Sequence, residues 1–162
     1  MKAVTSSTHV NVSVSALWTA ITTEHHLEAC HPYILRHAEN TSANGLSDEI
    51  IYLNGVTYTR VSTAWLEGIG YDLRVGVANG LKNEVTWRIE PLDAVSSKLS
   101  ISVKPLAVER LPKPLRGLAL RLFVRRKVGL YLDAVTRGIK IWVETGKSVD
   151  KTAFQRHPWF CP

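Results

Sequence analysis

The feature that most constrains this fold is a set of alternating apolar and polar residues in the middle of the chain. A period of two is typical of strands with one buried face. Because short turns connect these segments, they pair as antiparallel neighbours and form a meander, not alternating parallel strands and helices. The apolar positions of the three clearest segments are Tyr71, Leu73, Val75 and Val77, then Val85, Trp87 and Ile89, then Leu99, Ile101 and Val103.

The N-terminal part of the chain predicts one strand followed by two short helices. Residues 5–14 alternate with a period of two, which predicts a half-buried strand. Ser15 is suited to cap a first helix that carries apolar residues on one face. Residues 24–30 predict a second short helix, which ends before Pro32 because the residue preceding a proline avoids helical angles.

Strands are also predicted at residues 33–38, 48–53 and 56–66, with Asn54-Gly55 as the hairpin turn between the last two. The inward face of the strand at 56–66 stays open. We favour the alternative with Arg60 exposed, because a buried guanidinium is rare and needs an acidic partner or an anionic ligand group. The two possible inner sets are Tyr58, Arg60, Ser62 and Ala64, or Thr57, Thr59, Val61, Thr63 and Trp65.

A long helix is predicted near the C-terminus. Residues 115–144 contain no proline, and Thr145-Gly146 is a suitable helix end. Apolar residues recur at spacings of four, three, four and three, which places one apolar stripe on the helix. They are Val128, Leu132, Val135, Ile139 and Trp142. The sequence thus predicts one α+β domain over residues 1–146 and a tail over 147–162, with six or seven antiparallel strands curved around the helix.

This order of elements resembles the helix-grip fold of the START-like (SRPBCC) superfamily, which includes polyketide cyclase/dehydrase and lipid transport proteins. The resemblance covers about residues 4 to 145, and its opening segments are Ser15–Thr22, Glu24–Leu27 and His31-Pro32. Residues 68–77, 87–91 and 131–142 fit the middle strands and the closing helix. The resemblance implies a cavity that holds a lipid, a polyketide or a quinone-like molecule. It equally allows a cyclase or dehydrase that acts on such a ligand.

The residues themselves also favour a cavity, because one helical stripe cannot fill a strongly curved sheet. The predicted ligand-binding residues are the inward strand positions, two tyrosines able to hydrogen-bond a ligand, one helix residue and one cation. They are Tyr58, Tyr71, Leu73, Val75, Trp87, Ile89, Leu99, Ile101, Leu122 and Arg60. No cofactor is predicted, and the ligand and the oligomeric state stay open.

Positive charge is concentrated in one part of the chain. Residues 104–140 contain ten Lys or Arg and two acidic residues, a net charge of +8, whereas the whole chain carries +6. This pattern is typical of a solvated helix face, and it also suits an anionic membrane surface or a nucleic acid. Apolar residues beside the basic ones in 110–127 favour the membrane surface over nucleic acid. They are Leu111, Leu115, Leu118, Leu122 and Phe123.

No catalytic or metal site is predicted. His25, His26 and His31 lie near the expected pocket opening, but no acidic partner for them is evident. Cys30 and His31 with His157 and Cys161 would suffice for zinc, although their spacing matches no zinc-finger pattern. The two cysteines make no disulfide framework, and neither a signal peptide nor a membrane span is evident, so a cytoplasmic location is expected.

Overall fold

Seven antiparallel strands form one curved sheet around a long helix. The computed structural model describes residues 2–39, 47–106 and 117–162. The strands lie in the spatial order β1-β7-β6-β5-β4-β3-β2. Their bounds are β1 Val4–Val10, β2 Ile34–Glu39, β3 Ser47–Tyr52, β4 Thr57–Leu66, β5 Gly70–Gly76, β6 Lys82–Pro91 and β7 Ser97–Lys104. The helices are α1 Val14–Thr22, α2 His26–Cys30 and α3 Leu118–Thr145. The predicted α+β architecture is confirmed.

The first helix begins earlier than its sequence predicts. β1 ends at Val10, and the Ser13 side chain accepts a hydrogen bond from the Ala16 N–H at 3.3 Å. Ser15, the predicted cap, lies inside the first turn, where its carbonyl accepts a bond from the Thr19 hydroxyl. Two serines two residues apart offer the same capping chemistry, and only the backbone at Ser13 is extended as a cap requires.

The C-terminal helix packs its predicted stripe against the sheet. Val128, Leu132, Val135 and Ile139 are all buried. Gly146 ends α3 in the left-handed conformation, with a φ of 68° and an N–H that donates to the Trp142 carbonyl at 2.8 Å. The predicted start at residues 115–116 lies outside the described residues. Within the described parts of the chain, no helix has the length and hydropathy that crossing a bilayer demands.

α3 also passes very close to the end of α2. A Cβ atom added at Gly138 would lie 2.3 Å from the Cys30 carbonyl oxygen and 3.2 Å from Pro32 Cδ. Only a residue without a side chain permits this approach. Glycine at this position therefore sets how closely α2 and α3 pack.

A β-bulge in β4 reverses the alternation of its side chains. Ser62 pairs with Leu73 and Ala64 pairs with Asp72, so Thr63 is the extra residue. Before the bulge, Tyr58, Arg60 and Ser62 point inward; after it, Trp65 lies opposite the inward Tyr71. Each of the two sequence alternatives therefore describes half of the strand. The expectation that Arg60 is exposed was wrong, since only 8% of its surface is accessible.

The tail after α3 folds back across the domain. The Val149 N–H donates to the Ala29 carbonyl at 2.8 Å, and the Asn54 side chain donates to the Trp159 carbonyl at 2.9 Å. Phe160 is buried against the sheet. These contacts place residues 147–162 along one wall of the interior that lies between β3, β4 and α3.

Candidate functional site

A cavity of about 420 Å³ lies between the sheet, the N-terminal half of α3 and the tail. This volume is within the usual range for sites that bind small molecules. Strand β4 contributes Tyr58, β5 contributes Val75, and the tail contributes Trp159 and Phe160. The other lining residues are Tyr52, Asn83, Val85, Val103, Pro105, Leu120, Val124, Val128 and Tyr131.

A second pocket of about 60 Å³ lies deeper between the sheet and α3. It shares with the large cavity the residues Tyr52, Val75, Val85, Val103 and Tyr131, so the two spaces are adjacent. Its remaining walls are mostly buried aliphatic and aromatic side chains from α2, β2, β3, β5, β6, β7 and α3. The interior is therefore not completely filled by the α3 stripe.

The structure brings most of the predicted ligand-binding residues to these spaces. Tyr58 and Val75 line the large cavity, and Leu73, Val75, Trp87, Ile101 and Arg60 line the small pocket. Tyr71 lines a third pocket, together with Leu73 and Arg60. Seven of the ten predicted residues are thus spread over three adjoining spaces.

Three predicted residues lie elsewhere. Ile89 and Leu99 are buried in the core, but neither is among the residues that line a described pocket. Leu122 lies on the outward face of α3, where 57% of its surface is exposed. Leu120 and Val124, on the inward face of the same turns, line the cavity instead.

A chain of hydrogen bonds crosses the apolar interior. His31 Nε2 lies 3.0 Å from the Tyr131 hydroxyl, which lies 3.1 Å from the Tyr52 hydroxyl. Burial lowers the pKa of His31 well below its usual value and raises the pKa values of Tyr52 and Tyr131. All three side chains are therefore uncharged at neutral pH. Neither tyrosine pairing was predicted, because residues 31, 52 and 131 belong to different elements.

The third pocket, of about 300 Å³, lies beside the α1–α2 connection, and most of the residues that line it are polar. Arg60 Nε forms an ion pair with Asp48 Oδ1 at 3.1 Å, and Asp48 Oδ2 lies 3.1 Å from His37 Nε2. Asp48 and Arg60 are directly opposite in the β3–β4 hairpin. The acidic partner that a buried Arg60 requires is therefore Asp48. The sequence carried a signal for it, since residues 48 and 60 are equally distant from Asn54 in the turn.

His26 also borders this pocket. Its Nδ1 lies 2.8 Å from the Thr23 carbonyl, and only 5% of its surface is accessible. Burial and then the charge of Arg60 lower the pKa of His26 to about 3. Of the three histidines noted in the sequence, His25 and His26 line this pocket. His31 instead belongs to the hydrogen-bonded group with Tyr131 and Tyr52.

The cysteines show no sign of metal binding. Burial raises the pKa of the Cys30 thiol to about 12, so Cys30 is a neutral thiol. Cys161 Sγ accepts a hydrogen bond from the His157 N–H at 3.3 Å. Among the described residues, no three His, Cys, Asp or Glu side chains form a group that could hold a metal ion.

Solved structures share this architecture. The chain superposes on BexL, a di-domain ARO/CYC from the BE-7585A biosynthetic pathway, with a TM-score of 0.66 and 11% identity, covering 88% of this chain and 47% of BexL. It superposes on a START superfamily protein from Mycobacterium smegmatis with a TM-score of 0.50 and 16% identity, covering 80% and 94% of the two chains. The chain has the START-like, helix-grip fold.

A third neighbour is Aha1 from Colwellia psychrerythraea, with a TM-score of 0.60, 13% identity and coverage of 91% of this chain and 100% of that one. No protein-family model matches the sequence, and no curated protein matches it. At these identities the similarity establishes the START-like fold alone.

Proposed function

We propose that this chain binds or carries a small hydrophobic ligand in the cavity between the sheet and α3. The observation that supports this most directly is the apolar space of about 420 Å³ beneath α3. The START-like fold supports it further, because the lipid transport proteins that the sequence resembles hold their ligands between sheet and helix. A lipid, a polyketide or a quinone-like molecule would suit the site.

The chemistry of the lining favours an uncharged ligand. Among the described residues that line the large cavity none is charged, and the polar groups are three tyrosine hydroxyls, one tryptophan N–H and the side chain of Asn83. An ionised ligand group placed there would lose its hydration without gaining a partner charge. The free energy of binding would come mainly from the apolar area removed from water, at about 25 cal/mol per Å².

Native mass spectrometry of the protein purified from its own host tests this proposal. The expected result is an additional mass that dissociates as a hydrophobic molecule. Val124→Trp places a large ring on the inward face of α3 and should abolish this mass, since Val124 lines the cavity. Leu122→Trp, on the exposed outward face, is the matched control and should retain it. A native protein with no bound molecule and no affinity for apolar probes would contradict the proposal.

We propose, as a second function, that the outward face of α3 near its start binds an anionic membrane surface. Leu118, Leu122 and Phe123 expose 73%, 57% and 51% of their surfaces. Arg121, Arg125 and Arg126 are exposed on the same turns. A helix with exposed apolar and basic residues side by side is suited to lie flat in a membrane interface.

The charge of this segment supports an anionic partner. Residues 110–132 contain seven Lys or Arg and no acidic residue. Each basic side chain near an anionic membrane surface contributes about 1 kcal/mol of attraction. Because Leu120 and Val124 on the opposite face of the same helix line the cavity, docking would bring the cavity next to the bilayer.

Vesicle co-sedimentation tests the membrane proposal. Binding to phosphatidylserine-containing vesicles should exceed binding to pure phosphatidylcholine at least tenfold and should weaken with added salt. Replacing Arg125, Arg126 and Lys127 by alanine should abolish it. The control replaces Arg74, Lys82 and Lys98, which removes the same charge from the sheet. Equal binding by the two triple variants would show that the basic face serves only solubility.

A further inference from the structure

The tautomer of His31 is fixed by the backbone that follows it. The Tyr33 N–H donates a hydrogen bond to His31 Nδ1 at 3.1 Å, across the intervening Pro32. Nδ1 is therefore an acceptor, and the single hydrogen of a neutral imidazole must lie on Nε2. His31 is neutral because burial lowers its pKa well below the usual value. His31 Nε2–H consequently donates to the Tyr131 oxygen.

Counting the hydrogens in the hydrogen bonds among His31, Tyr131 and Tyr52 shows that one phenolic O–H has no acceptor. Tyr52 and Tyr131 have two O–H groups between them, and one of these forms the bond that joins their oxygens at 3.1 Å. Tyr131 cannot donate to His31, because His31 is itself the donor there. Neither hydroxyl has another hydrogen-bond partner among the described residues, so one O–H is always unused.

This unused hydrogen belongs to a pair that lines the cavity. Tyr52 and Tyr131 both contribute to the large cavity and to the small pocket behind it. Burial raises the pKa values of both phenols, so they keep their hydrogens at physiological pH. An unpaired O–H in an apolar site costs free energy that a suitable ligand atom recovers.

We infer that the cavity selects ligands that carry a neutral hydrogen-bond acceptor, such as the carbonyl of a ketone, ester or quinone. The inference rests on the proposed function and specifies its ligand class. A carbonyl oxygen accepts the unused phenolic hydrogen and needs no donor or counter-ion in return. A carboxylate is disfavoured because no cation lines the large cavity among the described residues.

A matched pair of probes separates this inference from simple hydrophobic binding. 2-Acetylnaphthalene and 2-ethylnaphthalene have the same ring system and side chains of similar size, but only the first has a carbonyl. In equilibrium dialysis against the native protein, the ketone should bind about fivefold more tightly, the gain expected for one net hydrogen bond. The carbonyl carbon of 13C-labelled ketone should also shift downfield on binding, relative to its shift in cyclohexane.

The hydrogen count makes a distinctive prediction for tyrosine variants. Tyr52→Phe leaves the Tyr131 O–H unused, and Tyr131→Phe leaves the Tyr52 O–H unused, so each single variant should keep the preference for the ketone. Removing both hydroxyls also takes the acceptor from His31 Nε2–H, so His31→Phe is added to the double variant, and this triple variant should bind the two probes equally. Tyr58→Phe is the control, because Tyr58 lines the same cavity outside the hydrogen-bonded chain and should keep the preference.

The outcomes distinguish this inference from the proposed function. Equal binding of both probes to the native protein, or a fivefold preference that survives in the triple variant, would overturn the inference while leaving hydrophobic binding intact. An unshifted carbonyl carbon in the native complex would overturn it without recourse to any variant. Failure of both probes to bind would overturn the inference and the proposed function together.

Discussion

His26 and His31 are neutral imidazoles in an interior that also contains the Arg60 guanidinium. The pKa of His26 falls from 6.5 to about 3, and that of His31 falls well below 6.5, in both cases chiefly through burial. The folded protein therefore excludes protons that the unfolded chain binds. In the unfolded state both side chains become charged as the pH drops below about 6.5.

These shifts predict a loss of stability at acidic pH. Above pH 6.5 both states carry neutral histidines, so the stability is at its full value; below it the unfolded chain is protonated and the free energy of unfolding falls toward pH 3. For His26 alone the loss between pH 7 and pH 5 is about 2 kcal/mol. Urea unfolding at pH 7, 6 and 5 measures it.

His26→Phe should lower the number of protons taken up on unfolding by nearly one, because it removes the titrating group while keeping a ring in the same space. Thr5→Ala, on the exposed face of β1, removes no titrating group and is the control for the substitution itself. A His26→Phe variant whose unfolding free energy falls as steeply with acid as that of the native protein would contradict this assignment.

Single residues also show where sequence reasoning reached its limit. The alternation in β5, β6 and β7 was sufficient to place Tyr71, Leu73 and Trp87 inward. Arg60 was not placed correctly, because its burial depends on Asp48 across the hairpin and on the β4 bulge, and neither follows from local periodicity. The cost of burying a charge decides such cases only when the partner is known.

At the scale of elements, the two halves of α3 have different structural roles. Its C-terminal half packs against β1 and α2, whereas its N-terminal half covers the cavity and exposes apolar and basic residues outward. The inward stripe was predicted from its spacing, and so was the apolar face beside the basic residues. The close contact between α3 and α2 was not predicted, because a glycine in a helix signals flexibility as readily as contact.

Glycine-to-alanine substitutions in α3 test that contact. Gly138→Ala forces a methyl group against the Cys30 carbonyl and should destabilise the protein by about 1–3 kcal/mol, the usual cost of overpacking. Gly129→Ala on the same helix meets only Val4 Cγ1, at 4.0 Å, and should be neutral or stabilising by up to about 1 kcal/mol. Thermal unfolding of both variants gives the comparison, and equal melting temperatures would contradict it.

At the scale of the whole molecule, the tail contributes to the interior and is more than an appendage of the domain. The Phe160 ring stacks on Tyr52 with centroids 4.1 Å apart, and Trp159 lines the cavity. The sequence predicted the α+β, helix-grip fold, because this follows from the order of the elements and the periodicity of the strands. It did not predict that residues 147–162 form a wall of the interior, since only tertiary packing brings Phe160 against Tyr52.

The sheet order has a consequence for synthesis on the ribosome. In the described sheet β1 is an edge strand paired with β7, with Val10 opposite Ser97 and Val4 opposite Val103. About ninety residues separate the two strands, so at about 5–20 residues per second the nascent β1 waits roughly 5 to 20 s for its neighbour. During that interval its valines have neither β7 nor α3 to cover them. The apolar face of β1 therefore stays uncovered for longer during synthesis than it would if the first two strands of the chain formed a hairpin.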